Sequence, residues 1–180
     1  MSFSIFRSLL PNKHKFINRK DINPGMEHKN IGMEKALQKI RHFCSYQERS
    51  HQEVKEKLYS FGLYKNETEL LLSQLIEQNY LNEERYAIAF AGGKFRIKQW
   101  GKIKIKYELK QHRISDYCIK KGLASIPPDD YEKTIEKLFN KKKRLLKSEK
   151  NIFIKKQKIQ AYLMQKGYEP HLISEYLKKM

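Results

Sequence analysis

The amino-acid sequence predicts an all-α protein built from three tandem three-helix repeats, and three observations lead to that prediction. Apolar residues recur at helical spacing from Met33 onward. Strand-like alternation is confined to residues 103–107, whose flanking sequence fits a helix better. A pair of apolar residues four positions apart, Val54 and Leu58, recurs twice later in the chain. Repetition of this kind is typical of proteins whose helical units stack on one another.

The helices of the first repeat have recognisable patterns. The first helix has its apolar residues on one face, namely Ala36, Leu37, Ile40 and Phe43. The second is predicted to begin at a capping box, in which the side chains of Ser50 and Glu53 each accept the other residue's backbone N–H. Gly62 is predicted to end it, because glycine readily adopts the left-handed backbone of a helix C-terminus. The leucine-rich stretch 70–76 forms the third helix.

Similar signals delimit the later helices. Asn82 is predicted to cap a helix whose first turn holds Glu83 and Glu84, where carboxylates interact favourably with the helix dipole. A break is predicted at Pro127 and Pro128, and Pro170 suits the first turn of the last helix.

The internal repeat divides the chain. Its three copies are Val54, Leu58 and Gly62; Ile105, Leu109 and Arg113; and Ile159, Leu163 and Gly167. In the second copy an arginine stands where the others have glycine. Apolar pairs four apart occur in any amphipathic helix, so coincidence is the alternative, but three copies at nearly equal offsets favour a true repeat. We expect a flexible basic tail over residues 1–32, followed by repeats at 33–82, 83–130 and 131–180.

The charge of the chain predicts an anionic partner. Lysine and arginine number 38 against 20 acidic residues, which gives a formal net charge of +18. Residues 33–82 are balanced, with seven basic and seven acidic side chains. By contrast, residues 85–115 hold nine basic residues and one acid, and residues 137–160 hold ten and one. A solvated helix surface usually mixes the two signs, so these two windows are predicted to bind a polyanion.

Other function classes find little support. No apolar run is long enough to span a membrane, and no secretory signal is apparent. Two distant cysteines and six scattered histidines give neither a disulfide framework nor a metal-ligand spacing, which fits a reducing cytoplasm. Nucleotide-binding loops and nucleophile motifs are absent from the sequence. We therefore predict no cofactor, no metal, no small-molecule substrate and no catalysis.

The candidate binding residues form three basic sets. Helical spacing predicts one stripe made of Lys102, Lys106, Lys110 and Arg113. A second set precedes it and consists of Lys94, Arg96 and Lys98. A third is the denser run of Lys141, Lys142, Lys143, Arg144 and Lys147. Each set binds phosphates or an acidic protein surface in one interpretation, and is a solvated helix face in the other.

The only tryptophan of the chain, Trp100, lies inside the basic window beside Gly101. It could stack on a base of single-stranded DNA. The favoured interpretation is a core residue at the junction of two repeats, with Gly101 permitting close packing.

Residues 80–114 combine an acidic helix start at 81–90 with the basic stretch 94–98, a Trp-Gly pair and the helix 105–109. In this order the sequence resembles the RecX regulators of the bacterial recombinase RecA, and the resemblance is closest over these residues. Residues 46–50, followed by Glu53 and Val54, match the first repeat of that family. The resemblance covers about residues 33–180 and is weakest in the third repeat.

This resemblance implies an elongated, curved array of helical repeats lying in the groove of the RecA–single-stranded-DNA filament. Such a protein would limit filament growth, ATP turnover and strand exchange, and so act in DNA repair, homologous recombination and the SOS response. The implied partners are the RecA filament and single-stranded DNA, with duplex DNA as a further possibility.

Two other functions are weighed against this one. The first is a stand-alone helical DNA-binding module that places a helix in a groove of duplex DNA. The second is a nuclease built on the carboxylate pairs Glu83–Glu84 and Asp129–Asp130. Those pairs are better explained as helix starts than as metal ligands.

Overall fold

The computed structural model describes residues 30–180, and these form nine α-helices without a strand. The helices are α1 (Met33–Tyr46), α2 (His51–Ser60), α3 (Lys65–Glu77), α4 (Glu83–Lys98), α5 (Lys102–Gln111), α6 (Asp116–Ala124), α7 (Pro128–Leu145), α8 (Ile152–Lys166) and α9 (Pro170–Lys178). The all-α prediction is confirmed. Most of the predicted basic tail, residues 1–29, lies outside the described residues, and the division into a tail and three repeats stays a prediction.

The predicted helix starts are present. Glu53 donates its N–H to the Ser50 hydroxyl at 3.1 Å, and Ser50 donates its own N–H to the Glu53 carboxylate at 2.8 Å. Asn82 caps α4 by accepting the N–H of Arg85 at 2.9 Å. Pro170 occupies the first position of α9. These contacts satisfy N–H groups that have no partner within their helix, so they fix where each helix begins.

The three copies of the repeat turn in the same way at their ends. Gly62 and Gly167 adopt positive φ angles of 80° and 90°, and Arg113 adopts 59° at the corresponding position. The predicted stripe on α5 therefore needs a correction, because the helix ends at Gln111 and Arg113 is not on it. The turn into α6 requires a left-handed residue at this point, and Arg113 adopts that conformation despite its side chain.

Replacing Arg113 by glycine is expected to raise the free energy of unfolding by about 1 kcal/mol, because the left-handed conformation costs an ordinary residue about that much. Arg113 is exposed, so its side chain contributes little packing. Urea denaturation followed by circular dichroism measures the change. A less stable R113G variant would show that contacts of the arginine outweigh the cost of its backbone conformation.

The buried apolar residues form two separate cores. The first lies among α1, α2 and α3 and includes the fully buried Ile40, Leu58 and Leu75. The second is continuous through α4 to α9. In it the ring of Tyr131 lies 5.8 Å from that of Phe95 and 5.2 Å from that of Tyr168. The second and third helix triplets are therefore joined by shared apolar packing.

The joint between the first and second triplets is more polar. Arg85 of α4 donates from Nε to the Glu48 carboxylate at 2.9 Å and from its guanidinium to the Asn79 carbonyl at 2.9 Å. The Arg85 and Glu48 side chains are 38% and 31% exposed. Half-exposed ion pairs of this kind contribute at most about 1 kcal/mol.

The two cysteines are unpaired and buried. Burial raises the pKa of the Cys44 thiol to about 11, with charged neighbours acting less strongly. A thiol in this state is inert near neutral pH. Within residues 30–180 no helix has the length and apolar character needed to cross a membrane.

Candidate nucleic-acid interface

Four of the basic residues lie close together where the ends of two helices meet. The first turn of α5 faces the last turn of α8, and the N–H of Gly101 donates to the Lys166 carbonyl at 2.8 Å. The N–H of Ile103 donates to the Gly167 carbonyl at 3.0 Å. N–H groups at a helix start and carbonyls at a helix end lack partners within their own helices, so each end satisfies the other. This contact fixes the second triplet on the third.

Gly101 is required for this approach. A Cβ atom on Gly101 would overlap with the carbonyl group of Gly167 and with the backbone nitrogen of Tyr168. Gly167 in turn approaches the backbone of Lys104 closely and has a positive φ. The two glycines thus bring α5 and α8 to backbone contact, which places the side chains on either side of the joint close together.

Tyr131 of α7 provides a third connection at the same joint. Its hydroxyl accepts the Lys102 N–H at 2.9 Å and donates to the Glu169 carboxylate at 2.6 Å. Burial, together with the hydrogen bond to Glu169, raises the pKa of Tyr131 far above its ordinary value. The phenol therefore remains a proton donor, and it links the start of α5 to the start of α9.

Four lysines converge around the joint, and we call them the junction cluster: Lys98, Lys104, Lys141 and Lys166. The ammonium group of Lys166 donates to the Lys98 carbonyl at 3.1 Å. Burial lowers the pKa of Lys166, and the charges of Lys104, Lys141 and Lys98 lower it further. No carboxylate contributes to that pKa shift. None of the four lysines forms an ion pair with a carboxylate among residues 30–180, so an anion bound at the junction cluster would relieve the repulsion between them.

Trp100 lies half-buried beside the junction cluster and packs against the second core. The ammonium groups of Lys94 and Lys104 lie 5.3 Å and 4.7 Å from the centre of its ring. Cations at these distances are attracted by the indole. The indole thus holds two lysine ammonium groups beside its ring, which is compatible with the predicted place of the tryptophan at a repeat junction.

The structure separates the predicted stripe on α5 from the junction cluster. Lys102 is half-buried, with its ammonium group 4.7 Å from the ring centre of Tyr131. Lys106 is exposed, and Lys110 is 3.3 Å from the Asp116 carboxylate. Lys104 lies two positions from Lys102 and from Lys106, so it points to a different side of the helix.

The other two predicted sets are divided between the cluster and its surroundings. Lys98 and Lys141 belong to the junction cluster, whereas Arg96, Lys143, Arg144 and Lys147 are exposed elsewhere. Lys142 is half-buried, with its ammonium group 5.3 Å from the Tyr162 ring centre.

Two members of the junction cluster, Lys104 and Lys166, were not among the predicted residues. Helical spacing leaves Lys104 out of the predicted stripe, because Lys104 falls between two of its positions. Lys166 directly precedes Gly167 in the sequence. A residue next to a glycine that makes a close backbone contact lies near the helix on the other side of that contact.

The acidic pairs begin helices. Glu83 and Glu84 lie in the first turn of α4, and Asp129 and Asp130 lie in the first turn of α7. The Glu83 carboxylate accepts the N–H and the hydroxyl of Ser115 at 3.1 Å and 3.0 Å, so it joins α4 to α6. Over residues 30–180 there is no group of three or more side chains suited to hold a metal ion.

The fold and the site together place the chain in a class of proteins. Its members are basic and consist of successive three-helix units, with a lysine cluster at one joint between units. Residues 82–123 match the family model for RecX, second three-helix domain, and residues 129–177 match that for RecX, third three-helix domain. The chain belongs to the RecX family, which confirms the resemblance found in the sequence.

Similarity to individual RecX proteins agrees with this assignment. The chain is 31% identical over 122 residues to the regulatory protein RecX of Clostridium perfringens (strain 13 / Type A), covering 67% of this chain and 57% of that protein. It is 27% identical over 152 residues to regulatory protein RecX of Bacillus cytotoxicus, covering 84% and 56%. It thus spans little more than half the length of these curated relatives.

The fold is that of a solved RecX protein. The crystal structure of RecX from Lactobacillus salivarius superposes with a TM-score of 0.73 at 22% sequence identity, covering 82% of this chain and 95% of that one. The prediction of tandem helical units is therefore confirmed.

Proposed function

We propose that this chain is a non-enzymatic, cytoplasmic regulator of RecA that lies in the groove of the RecA–single-stranded-DNA filament. There it limits filament growth, ATP turnover and strand exchange. Membership of the RecX family supports the proposal, as do relatives named regulatory proteins. The observation that carries it is the junction cluster, which gives the second and third triplets a site for phosphate groups.

The junction cluster favours phosphate for an electrostatic reason. Burial and three like charges act on Lys166, and both destabilise its protonated form. A phosphate group placed among the four lysines removes this repulsion and releases counterions from the nucleic acid. The contact is to the backbone of DNA and does not depend on base sequence.

The distribution of charge supports a protein partner in addition to DNA. Residues 33–82 carry equal numbers of basic and acidic side chains, so the first triplet has no net attraction for phosphates. We propose that this triplet meets protein while the basic triplets lie toward the nucleic acid. A filament, in which protein and DNA are both accessible, fits such a divided surface.

A stand-alone helical DNA-binding module is the second candidate, and the same lysines would serve it. Sequence-specific modules usually insert one helix into the major groove, with several of its side chains reaching the base edges. The junction cluster is instead drawn from α4, α5, α7 and α8, at a joint between triplets. A site of that composition favours backbone contacts over base reading.

The proposal is tested by comparing three ligands, which are RecA alone, a labelled oligonucleotide alone and the preformed filament. We expect the tightest binding to the filament, and suppression of DNA-dependent ATP hydrolysis by RecA at equimolar protein or below. Filament affinity should fall as salt concentration rises, because phosphate contacts release counterions. ATP hydrolysis that is unaffected at every ratio contradicts the proposal. Equally tight binding to one duplex sequence without RecA supports the DNA-binding module instead.

A further inference from the structure

The first helix triplet has a surface groove of about 540 Å³ that the filament proposal does not use. We call it the first-repeat groove; Phe43 and Phe61 form its floor, Tyr46 lies at one end, and its rim consists of Gln38, Lys39, His42, Arg49 and Lys57. The floor is almost wholly apolar. Phe43 and Phe61 are half-buried against the first core, whereas Tyr46 is 80% exposed at one end.

The rim of the first-repeat groove is cationic. Lys57 lies 5.2 Å from the Phe61 ring centre and 5.9 Å from that of Phe43, and Lys39 lies 5.9 Å from Phe61. In the described part of the chain, neither lysine forms an ion pair with a carboxylate. The aromatic floor therefore holds both ammonium groups beside the groove and leaves them available to a ligand.

Arg49 adds a third cation beside this floor. Its guanidinium lies 3.8 Å from the Phe43 ring centre, and its Nε is buried without a hydrogen-bond acceptor among the described residues. The nearest carboxylate, that of Glu53, lies 3.9 Å from the guanidinium and belongs with Glu56 to a neighbouring shallow hollow, which Phe43 and Lys57 also line. No carboxylate lines the first-repeat groove itself.

We propose that the first-repeat groove binds an acidic peptide segment of a partner protein, with an aromatic or leucine side chain seated on the apolar floor. The carboxylates of such a segment would pair with Lys39 and Lys57 at the rim, and its apolar side chain would cover Phe43 and Phe61. A site with an apolar floor and a charged rim has the usual anatomy of a protein interface.

The charge and the shape of the first-repeat groove fit an acidic peptide better than a nucleic acid. The first triplet has no net charge to attract a long polyanion, whereas the junction cluster does. Three rim cations around a concave apolar floor match a short segment that carries both acids and an apolar anchor. The groove proposal goes further than the suggestion that the first triplet meets protein, and it concerns other residues than the junction cluster, so the two can fail separately.

The test uses the full chain and a fluorescein-labelled twelve-residue peptide with six acidic residues and two phenylalanines. A second peptide has serine in place of both phenylalanines. Fluorescence anisotropy at physiological salt is expected to show binding of the first peptide and at least tenfold weaker binding of the second. Equal affinity for the two peptides would overturn the proposal, because the protein would then be selecting charge alone.

Variants locate the binding on the surface. Lys57→Glu is expected to weaken peptide binding at least fivefold and Tyr46→Ser at least threefold, while oligonucleotide binding stays unchanged. Lys65→Glu, an equal change of charge on an exposed lysine outside the groove, is the matched control and should have little effect. Circular dichroism confirms that the variants are folded.

Equal losses in K57E and K65E, or peptide displacement by an oligonucleotide, would overturn the assignment of the groove. A change of oligomeric state in Y46S without peptide binding would assign the groove to a second copy instead.

Discussion

Replacement of Gly101 by alanine is expected to lower the free energy of unfolding by about 3 kcal/mol, the upper range for forcing an extra carbon into a packed site. The added Cβ would overlap with backbone atoms of Gly167 and Tyr168. Backbone atoms cannot rotate aside as a flexible side chain can, so α5 and α8 must separate. Separation removes the hydrogen bonds from Gly101 and Ile103 to the end of α8.

Thermal denaturation and urea denaturation both measure this effect. A loss of 3 kcal/mol corresponds to a fall in Tm of about 6–12 °C for a chain of this size. Gly93→Ala is the matched control, because Gly93 lies within α4 with open space around its Cβ position. Alanine there should raise the stability by about 0.5–1 kcal/mol through its better helix propensity. Opposite signs for G101A and G93A are expected, and equal effects would show that the helix-end contact does not hold the joint.

Local signals in the sequence identified the helices well, because their causes lie within a few residues. The capping box of Ser50 and Glu53 and the cap at Asn82 are contacts between near neighbours. Pro170 acts through its own ring and missing N–H. The sequence also marks the exceptional turn at Arg113, because the second repeat has arginine where the other two have glycine. The end of α5 two residues earlier was not predicted.

The candidate site was less predictable, because it depends on how the triplets dock. Lys104 and Lys166 are distant in sequence and meet only because α5 and α8 abut end to end. Helical periodicity predicts which residues share a face of one helix, but not which faces of two helices face each other. The predicted stripe followed the charge of α5 alone, whereas the cluster gathers lysines from four helices. The first-repeat groove likewise needs the relative placement of α1 and α2.

Reversing the charge of Lys104 and Lys166 together is expected to weaken binding to single-stranded DNA and to the filament on the order of a hundredfold at low salt. The physical reason is that each reversal turns a phosphate contact into a repulsion, and about tenfold per lysine corresponds to roughly 1.4 kcal/mol each. The charges of Lys104, Lys141 and Lys98 all act on Lys166, so glutamate there is also expected to pair with Lys98 and Lys141 and to neutralise their charge.

Anisotropy of a labelled oligonucleotide measures this loss, and repeating it over a range of salt concentrations gives a second readout. The slope of log affinity against log salt should become shallower by about one for each phosphate contact removed. The fluorescence of Trp100 reports independently on the joint, since it is the only tryptophan of the chain.

The double variant K106E/K110E decides between the junction cluster and the stripe predicted from the sequence. It changes the net charge equally and also alters α5, but its side chains point away from Lys104. If the junction cluster holds the phosphates, this variant should weaken binding by less than about fivefold, an effect of overall charge alone. The reverse order, with K106E/K110E losing more affinity than K104E/K166E, would assign the phosphates to the stripe. The contact between α5 and α8 would then have a structural role only, and the lysines of the junction cluster would not bind phosphate.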